Sequence, residues 1–185
     1  MIGYAFCGSF CTISRSLKIL RSLAAEGNHI LPIVNDSVYH TDTRFGKAAA
    51  TINAIKEICG KEIIHSIVDA EPIGPDIELD MLVVAPCTGN TLAKLAAGIT
   101  DSPVTMAVKA QLRKNRPVVI ALATNDALSF NLKNIGLLLS RKNVYFVPMK
   151  QDDPEGKPYS LVCDFDQLKN TMTAAFAGRQ IMPIF

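Results

Sequence analysis

Two stretches of the chain, residues 81–85 (Met-Leu-Val-Val-Ala) and 118–123 (Val-Val-Ile-Ala-Leu-Ala), carry no polar side chain at all. A strand with one wet face alternates apolar and polar residues. A strand covered by helices on both faces reads as an unbroken apolar run. The two runs therefore call for a central parallel sheet, and the rest of the chain supplies what such a sheet needs. Residues 2–6 and 30–34 read as further strands, 62–64 as a weak third strand in chain order, and 144–147 as the last. Between them apolar residues recur at helical spacing. In residues 11–25, Ile13, Leu17, Leu20 and Leu23 share one face, Arg15, Lys18 and Arg21 point elsewhere, and Gly27 is placed to end the helix. Residues 45–59, 91–97, 103–114, 128–140 and 165–177 read as the remaining helices. This alternation predicts an α/β chain with three layers and a doubly wound, mostly parallel sheet of the Rossmann-like kind. At 185 residues and 49% apolar content the chain forms a single domain, 1–185, with ample core.

Charge excludes several classes of partner. Nineteen Lys and Arg stand against 17 Asp and Glu, a net +2 with no long run of one sign. Neither a nucleic acid nor a membrane surface is expected as a partner. No apolar stretch approaches the roughly 18 residues that span a bilayer, and the first ten residues have neither the basic nor the apolar region of a secretion signal, so the expected location is the cytoplasm. The five cysteines (Cys7, Cys11, Cys59, Cys87, Cys163) are odd in number and scattered. Cys7 and Cys11 lack a second ligand pair, which points to reduced thiols and no metal.

A doubly wound sheet binds ligands beyond the carboxyl ends of its strands, where strand order reverses. The segments in question are 7–14, 35–45, 86–91, 124–131 and 148–157. In the first, Gly8, Ser9 and Thr12 at a helix start can turn backbone N–H groups and hydroxyls toward an anion such as a phosphate; a plain cap and tight turn accounts for them equally well. In the second, Ser37 and Arg44 could reach the same anion. His40 and Asp42 are sequence neighbours in a loop, more consistent with solvated side chains and with Asp42 or Thr43 capping the next helix. In the third, Cys87, Thr88, Gly89, Asn90 and Thr91 put small polar groups at the mouth of the most buried strand. There Asn90 offers both donor and acceptor to an amide-rich ligand edge, although Thr88 or Asn90 can also serve as a helix cap. The segment 148–160, with Asp152, Asp153, Pro154 and Gly156, has the length at which lids are found.

The string Ala85-Pro-Cys-Thr-Gly-Asn-Thr-Leu-Ala-Lys, running on to Gly98-Ile-Thr-Asp101, is similar to the signature of the homo-oligomeric flavin-containing Cys decarboxylase superfamily. That group includes phosphopantothenoylcysteine decarboxylases and flavin prenyltransferases. Within it, Thr41-Asp-Thr-Arg-Phe-Gly46, Glu71-Pro-Ile-Gly-Pro75, Thr124-Asn-Asp-Ala-Leu128, Asn134-Ile-Gly136 and Gln151-Asp-Asp-Pro154 resemble the B-subunit family of dipicolinate synthases. The resemblance implies a flavoprotein that binds FMN, with the phosphate at Gly8, Ser9 and Ser37 and the ring against Cys87, Thr88, Gly89, Asn90 and Thr91. A histidine that the cysteine decarboxylases carry some 14 residues before the motif proline falls here on Pro72, and His65 lies too far upstream to replace it. Of the decarboxylases' second motif, residues 123–126 keep only Asn125, so oxidative decarboxylation of a peptidyl cysteine is not expected. Lys109 and Arg113 resemble part of the prenyltransferase pattern, without the element that should follow. What is implied instead is an oxidoreductase subunit that forms pyridine-2,6-dicarboxylate from a dihydro- or tetrahydrodipicolinate precursor during sporulation, with an A subunit as partner contributing NADP. A homo-oligomer, a trimer or dodecamer, is also implied. A dicarboxylate calls for converging cations, for which Arg44 and Lys150 are the candidates, and Asn125, Asp126 and Arg44 are the candidate catalytic residues. Two other functions remain open: a non-catalytic FMN-binding or structural partner of the A subunit, and a flavin-dependent decarboxylase of unknown substrate.

Overall fold

The computed structural model describes residues 1–185. Its chain runs β1 (Ile2–Phe6), α1 (Ile13–Ala25), β2 (Ile30–Val34), α2 (Asp36–His40), α3 (Ala48–Cys59), α4 (Ile67–Ala70), β3 (Met81–Cys87), α5 (Gly89–Ala97), α6 (Pro103–Arg113), β4 (Val118–Thr124), α7 (Leu132–Leu139), β5 (Val144–Phe146), β6 (Met149–Lys150), β7 (Leu161–Cys163) and α8 (Leu168–Phe176). Every residue of β1, β2 and β3 is buried, as the unbroken apolar runs require of strands roofed on both faces. The parallel part of the sheet is ordered β2-β1-β3-β4-β5. The chain winds outward from β1 to β2, then crosses to β3 on the other side of β1. The crevice between the ends of β1 and β3 is therefore the switch point of the sheet.

Polar contacts fix the helix over this crevice. Ser16 of α1 donates to the Ala85 carbonyl of β3 at 2.6 Å and meets the Tyr4 hydroxyl of β1 at 2.9 Å. All three groups are buried, so each would lose a needed partner if α1 shifted. No helix is long and apolar enough to cross a membrane.

Residues 36–40, read as loop, form the short helix α2, and the structure departs from the sequence reading in three further places. Residues 62–64 form no strand: Ile64 makes a single bridge to Ile33, and the chain turns at once into α4, where Ser66 and Asp69 cap each other's backbone N–H groups. The helix read over residues 128–140 begins only at Leu132, because the Asp126 carbonyl and carboxylate hold residues 129–131 in a turn. The strand at residues 144–146 is not the last. A hairpin of β6 and β7 follows it, and β7 runs antiparallel to the tip of β4 through Ala123 and Thr124. Strands of two and three residues are too short to show a periodicity, so only the sheet reveals them.

Candidate functional site

After β1 the backbone turns tightly: Ser9 N–H donates to the Cys7 carbonyl at 2.8 Å, and Thr12 N–H to the Ser9 carbonyl at 3.0 Å. A short 3-10 turn over Phe10–Thr12 leads into α1. Thr12 Oγ1 bonds back to the Ser9 carbonyl and Oγ, at 2.9 and 3.1 Å. Neither Ser9 nor Thr12 caps the helix start with its side chain, so the amides of this turn are not taken by the simple cap that the sequence allowed. Gly8 sits against Ser37 in the first turn of α2: a Cβ at position 8 would lie 2.9 Å from Ser37 Oγ. The two residues, which follow β1 and β2 respectively, are thus in close contact. Asn35 Nδ2 donates to Cys7 Sγ at 3.6 Å, and the buried side-chain oxygen of Asn35 has no donor.

The second wall comes from the start of α5. Thr88 caps that helix, its Oγ1 accepting from Thr91 N–H at 3.2 Å. Gly89 is required by its neighbours. A Cβ there would meet Thr124 Oγ1 at 2.5 Å, Asn131 Nδ2 at 2.6 Å and Asp126 Oδ1 at 2.8 Å. Those three side chains form a closed network, in which Thr124 Oγ1 donates to Asp126 Oδ1 at 2.6 Å and Asn131 Nδ2 donates to both carboxylate oxygens at 2.9 Å. Asn134 in turn donates to Asn131 at 2.8 Å. The loop after β4 is thereby clamped across the first turn of α5.

Between these walls lies an open cleft of about 670 Å³, within the range of small-molecule sites. It gathers residues 8–11, the Arg44–Phe45 pair, residues 88–90, residues 123–125, and Asp152, Lys157 and Val162 from the end of the chain. Of the residues singled out in the sequence, Gly8, Ser9, Arg44, Thr88, Gly89, Asn90 and Asn125 line it. Ser37 stands behind Gly8, Cys87 and Thr91 are fully buried beneath the floor, and Asp126 lies under Gly89 in its network. Lys150 belongs elsewhere, in a hollow with Arg15, Lys18, Asp164 and Asp166. His65 stacks on Tyr39 at 4.1 Å and does not line the cleft, nor does Pro72. The sequence reading gave Phe10, Asp152 and Lys157 no site role, naming Asp152 only within the candidate lid and Lys157 only as the end of a strand-end segment. The last two come from the residues 148–160 segment, whose position depends on the unforeseen hairpin.

Ionisable groups in and under the cleft differ in state. Cys87 is pushed well above the ordinary thiol range by its contact with Cys7 and by burial, so it is a neutral thiol and no nucleophile. Arg44 has no carboxylate partner and rests over the Phe45 ring at 4.9 Å. Asp152 pairs with Lys157 at 3.3 Å. Although partial burial pushes it up, hydrogen bonds from Ser160 and Lys157 hold its carboxyl below the ordinary value. No group of three or more His, Cys, Asp or Glu side chains gathers in a metal-binding arrangement.

The chain is 46% identical over 183 residues to the B subunit of dipicolinate synthase from Bacillus subtilis strain 168, a match covering 99% of this chain and 92% of that protein. The crystal structure of the corresponding B subunit from Bacillus halodurans superimposes with a TM-score of 0.90 at 44% identity, covering 99% of this chain and 94% of that one. The FMN-dependent cysteine decarboxylase SpaF shares the fold at a TM-score of 0.69 and 22% identity, over 94% of this chain and 95% of its own. A sequence profile of the flavoprotein family matches residues 1–176, and the chain belongs to that family.

Proposed function

We propose that this chain is the B subunit of a dipicolinate synthase, an oxidoreductase forming pyridine-2,6-dicarboxylate from a dihydro- or tetrahydrodipicolinate precursor together with an A subunit. The observation that carries the reading is full-length identity of 46% to a B subunit, on a chain whose cleft lies at the switch point of its sheet. The residues present fit FMN. Gly8, whose missing Cβ lets Ser37 Oγ come close to the turn, and the uncapped amides that follow it suit a phosphate. Thr88, Gly89 and Asn90, with Gly89 allowing close backbone approach, suit the edge of a flat amide-rich ring. FMN held there supplies a two-electron acceptor for the hydride lost as a dihydropyridine becomes aromatic. The alternative acceptor is NADP on the A subunit.

The chain's own contribution is position and charge. Arg44, free of any acid, binds one substrate carboxylate at the rim. Asn90 and Asn125 flank the space between and orient the ring by hydrogen bonds. Asp126 holds the Asn125 loop against α5 through Thr124 and Asn131, with both of its oxygens engaged. The cleft thus offers Asp152 as its carboxylate, already paired with Lys157. That observation favours one second reading, a subunit that holds flavin and completes or stabilises the A subunit without itself moving a proton. Decarboxylation of a peptidyl cysteine is disfavoured, since no histidine lines the cleft. Self-association into trimers or dodecamers, location in the cytoplasm and a role in sporulation follow as part of the same proposal.

Reconstitution with the A subunit tests it. Omitting this chain should abolish dipicolinate formation, and Asn90→Ala should lower kcat at least about tenfold. Undiminished product without the chain would reject the catalytic reading. Full activity of Asn90→Ala with loss on omission would favour the purely supporting one.

A further inference from the structure

Arg44 can satisfy one carboxylate, but a pyridine-2,6-dicarboxylate or its reduced precursor carries two. The segment between β6 and β7 brings Asp152 and Lys157 to the same cleft as Arg44. That segment is held together by its own bonds. Asp153 accepts from Gly156 N–H at 2.9 Å and, through its carbonyl, from Lys157 N–H at 2.7 Å. Gln151 Nε2 reaches the Pro158 carbonyl at 2.8 Å. It is also tied to the loop that carries Asn125, since Leu128 N–H donates to the Tyr159 carbonyl at 2.9 Å. Lys157 is therefore presented to the cleft from a turn fixed against the cleft's own wall, and its ammonium is occupied by Asp152 alone, at 3.3 Å. The lysine and aspartate side chains are 51% and 38% exposed, and such a solvent-reached pair opens at little cost.

We infer that the Asp152–Lys157 pair is the dicarboxylate selector of the cleft: the second carboxylate of the ligand displaces Asp152 from Lys157 while Arg44 holds the first. The inference rests on the dipicolinate reading and specifies how that site tells two carboxylates from one. In the empty cleft Asp152 neutralises Lys157, so a monocarboxylate finds a single free cation, Arg44, and gains nothing by opening the pair. A dicarboxylate puts its second carboxylate on Lys157 in place of Asp152; because the exposed pair opens at little cost and the released Asp152 carboxylate returns to water, the bond from Lys157 to the ligand is a net gain. Lys157 is thus a specificity residue, and Asp152 is its competitor.

The two residues carry opposite expectations. Calorimetric titration of the full chain at fixed ionic strength compares pyridine-2,6-dicarboxylate with pyridine-2-carboxylate. The wild type should prefer the dicarboxylate by about tenfold, the effect of one added hydrogen bond between charged groups. Lys157→Ala should abolish the preference, because it removes the second cation and leaves Asp152 unpaired against both ligands, and Lys157→Arg should keep it. Asp152→Asn should tighten the dicarboxylate severalfold by removing the competitor. A preference that survives Lys157→Ala, or a dicarboxylate that binds more weakly to Asp152→Asn, overturns the selector while leaving the functional reading in place. A wild type that binds neither pyridine overturns both.

Discussion

At the scale of single residues, two glycines separate the needs of the ligand from the needs of the fold. A methyl group at Gly8 meets one hard contact, Ser37 Oγ at 2.9 Å, and a serine hydroxyl can rotate away. Gly8→Ala should therefore leave the urea unfolding free energy within about 0.5 kcal/mol of wild type. It should nonetheless lower FMN affinity at least about tenfold, because the new methyl and the turned hydroxyl occupy the anion's place. At Gly89 the obstacles are Thr124, Asp126 and Asn131, each fixed by the others' hydrogen bonds. None can yield without leaving a polar atom unpaired, so Gly89→Ala should cost roughly 1–3 kcal/mol in the same titration. A neutral Gly89→Ala would mean that the Asp126 network does not clamp the loop. From the sequence both glycines read alike, as small residues after a strand. Only the contacts assign one to the ligand and the other to the loop. The same limit hid Asp126, whose carboxylate reads as a candidate base in the sequence and is found bracing the floor.

At the scale of elements, the sequence was most informative where burial is complete. Unbroken apolar runs marked β3 and β4, and periodic faces marked α1 and α3, because each pattern follows from one dominant force acting along the whole element. It was least informative where an element is two or three residues long, as with β6 and β7, and that hairpin brings Asp152 and Lys157 to the cleft. The helices α5 and α6 both begin on a hydroxyl cap, of which the sequence reading named Thr88, beside Asn90, and not Ser102. Thr88 accepts from Thr91 N–H at 3.2 Å, and Ser102 accepts from Thr105 N–H at 3.2 Å. Replacing either by alanine should cost about 1 kcal/mol of unfolding free energy. Their consequences for binding should differ, since Thr88 lines the cleft and Ser102 does not. Thr88→Ala is expected to weaken FMN binding as well, whereas Ser102→Ala loses stability alone. Equal losses of binding in both would show that α5 responds to general destabilisation rather than to its cap.

At the scale of the whole molecule, the site is assembled from five separate stretches of chain, all brought to one edge by the winding of the sheet. Such a site does not exist in the unfolded chain, so a ligand bound there stabilises only the folded state. For free FMN at a hundred times its dissociation constant the gain is about 2.7 kcal/mol. In a domain of 185 residues, where each kcal/mol moves the melting temperature by roughly 2–4 °C, this corresponds to a rise of about 5–10 °C. Single substitutions sort that rise into its causes. Ser102→Ala should begin from a lower melting temperature and show the full rise, because a remote cap and the ligand act independently. Gly8→Ala should begin near the wild-type temperature and show about half that rise or less at the same FMN concentration. An unchanged melting temperature for the wild type at saturating FMN would contradict the proposed flavin seat. A rise that persists undiminished in Gly8→Ala would place the phosphate somewhere other than the turn between β1 and α1.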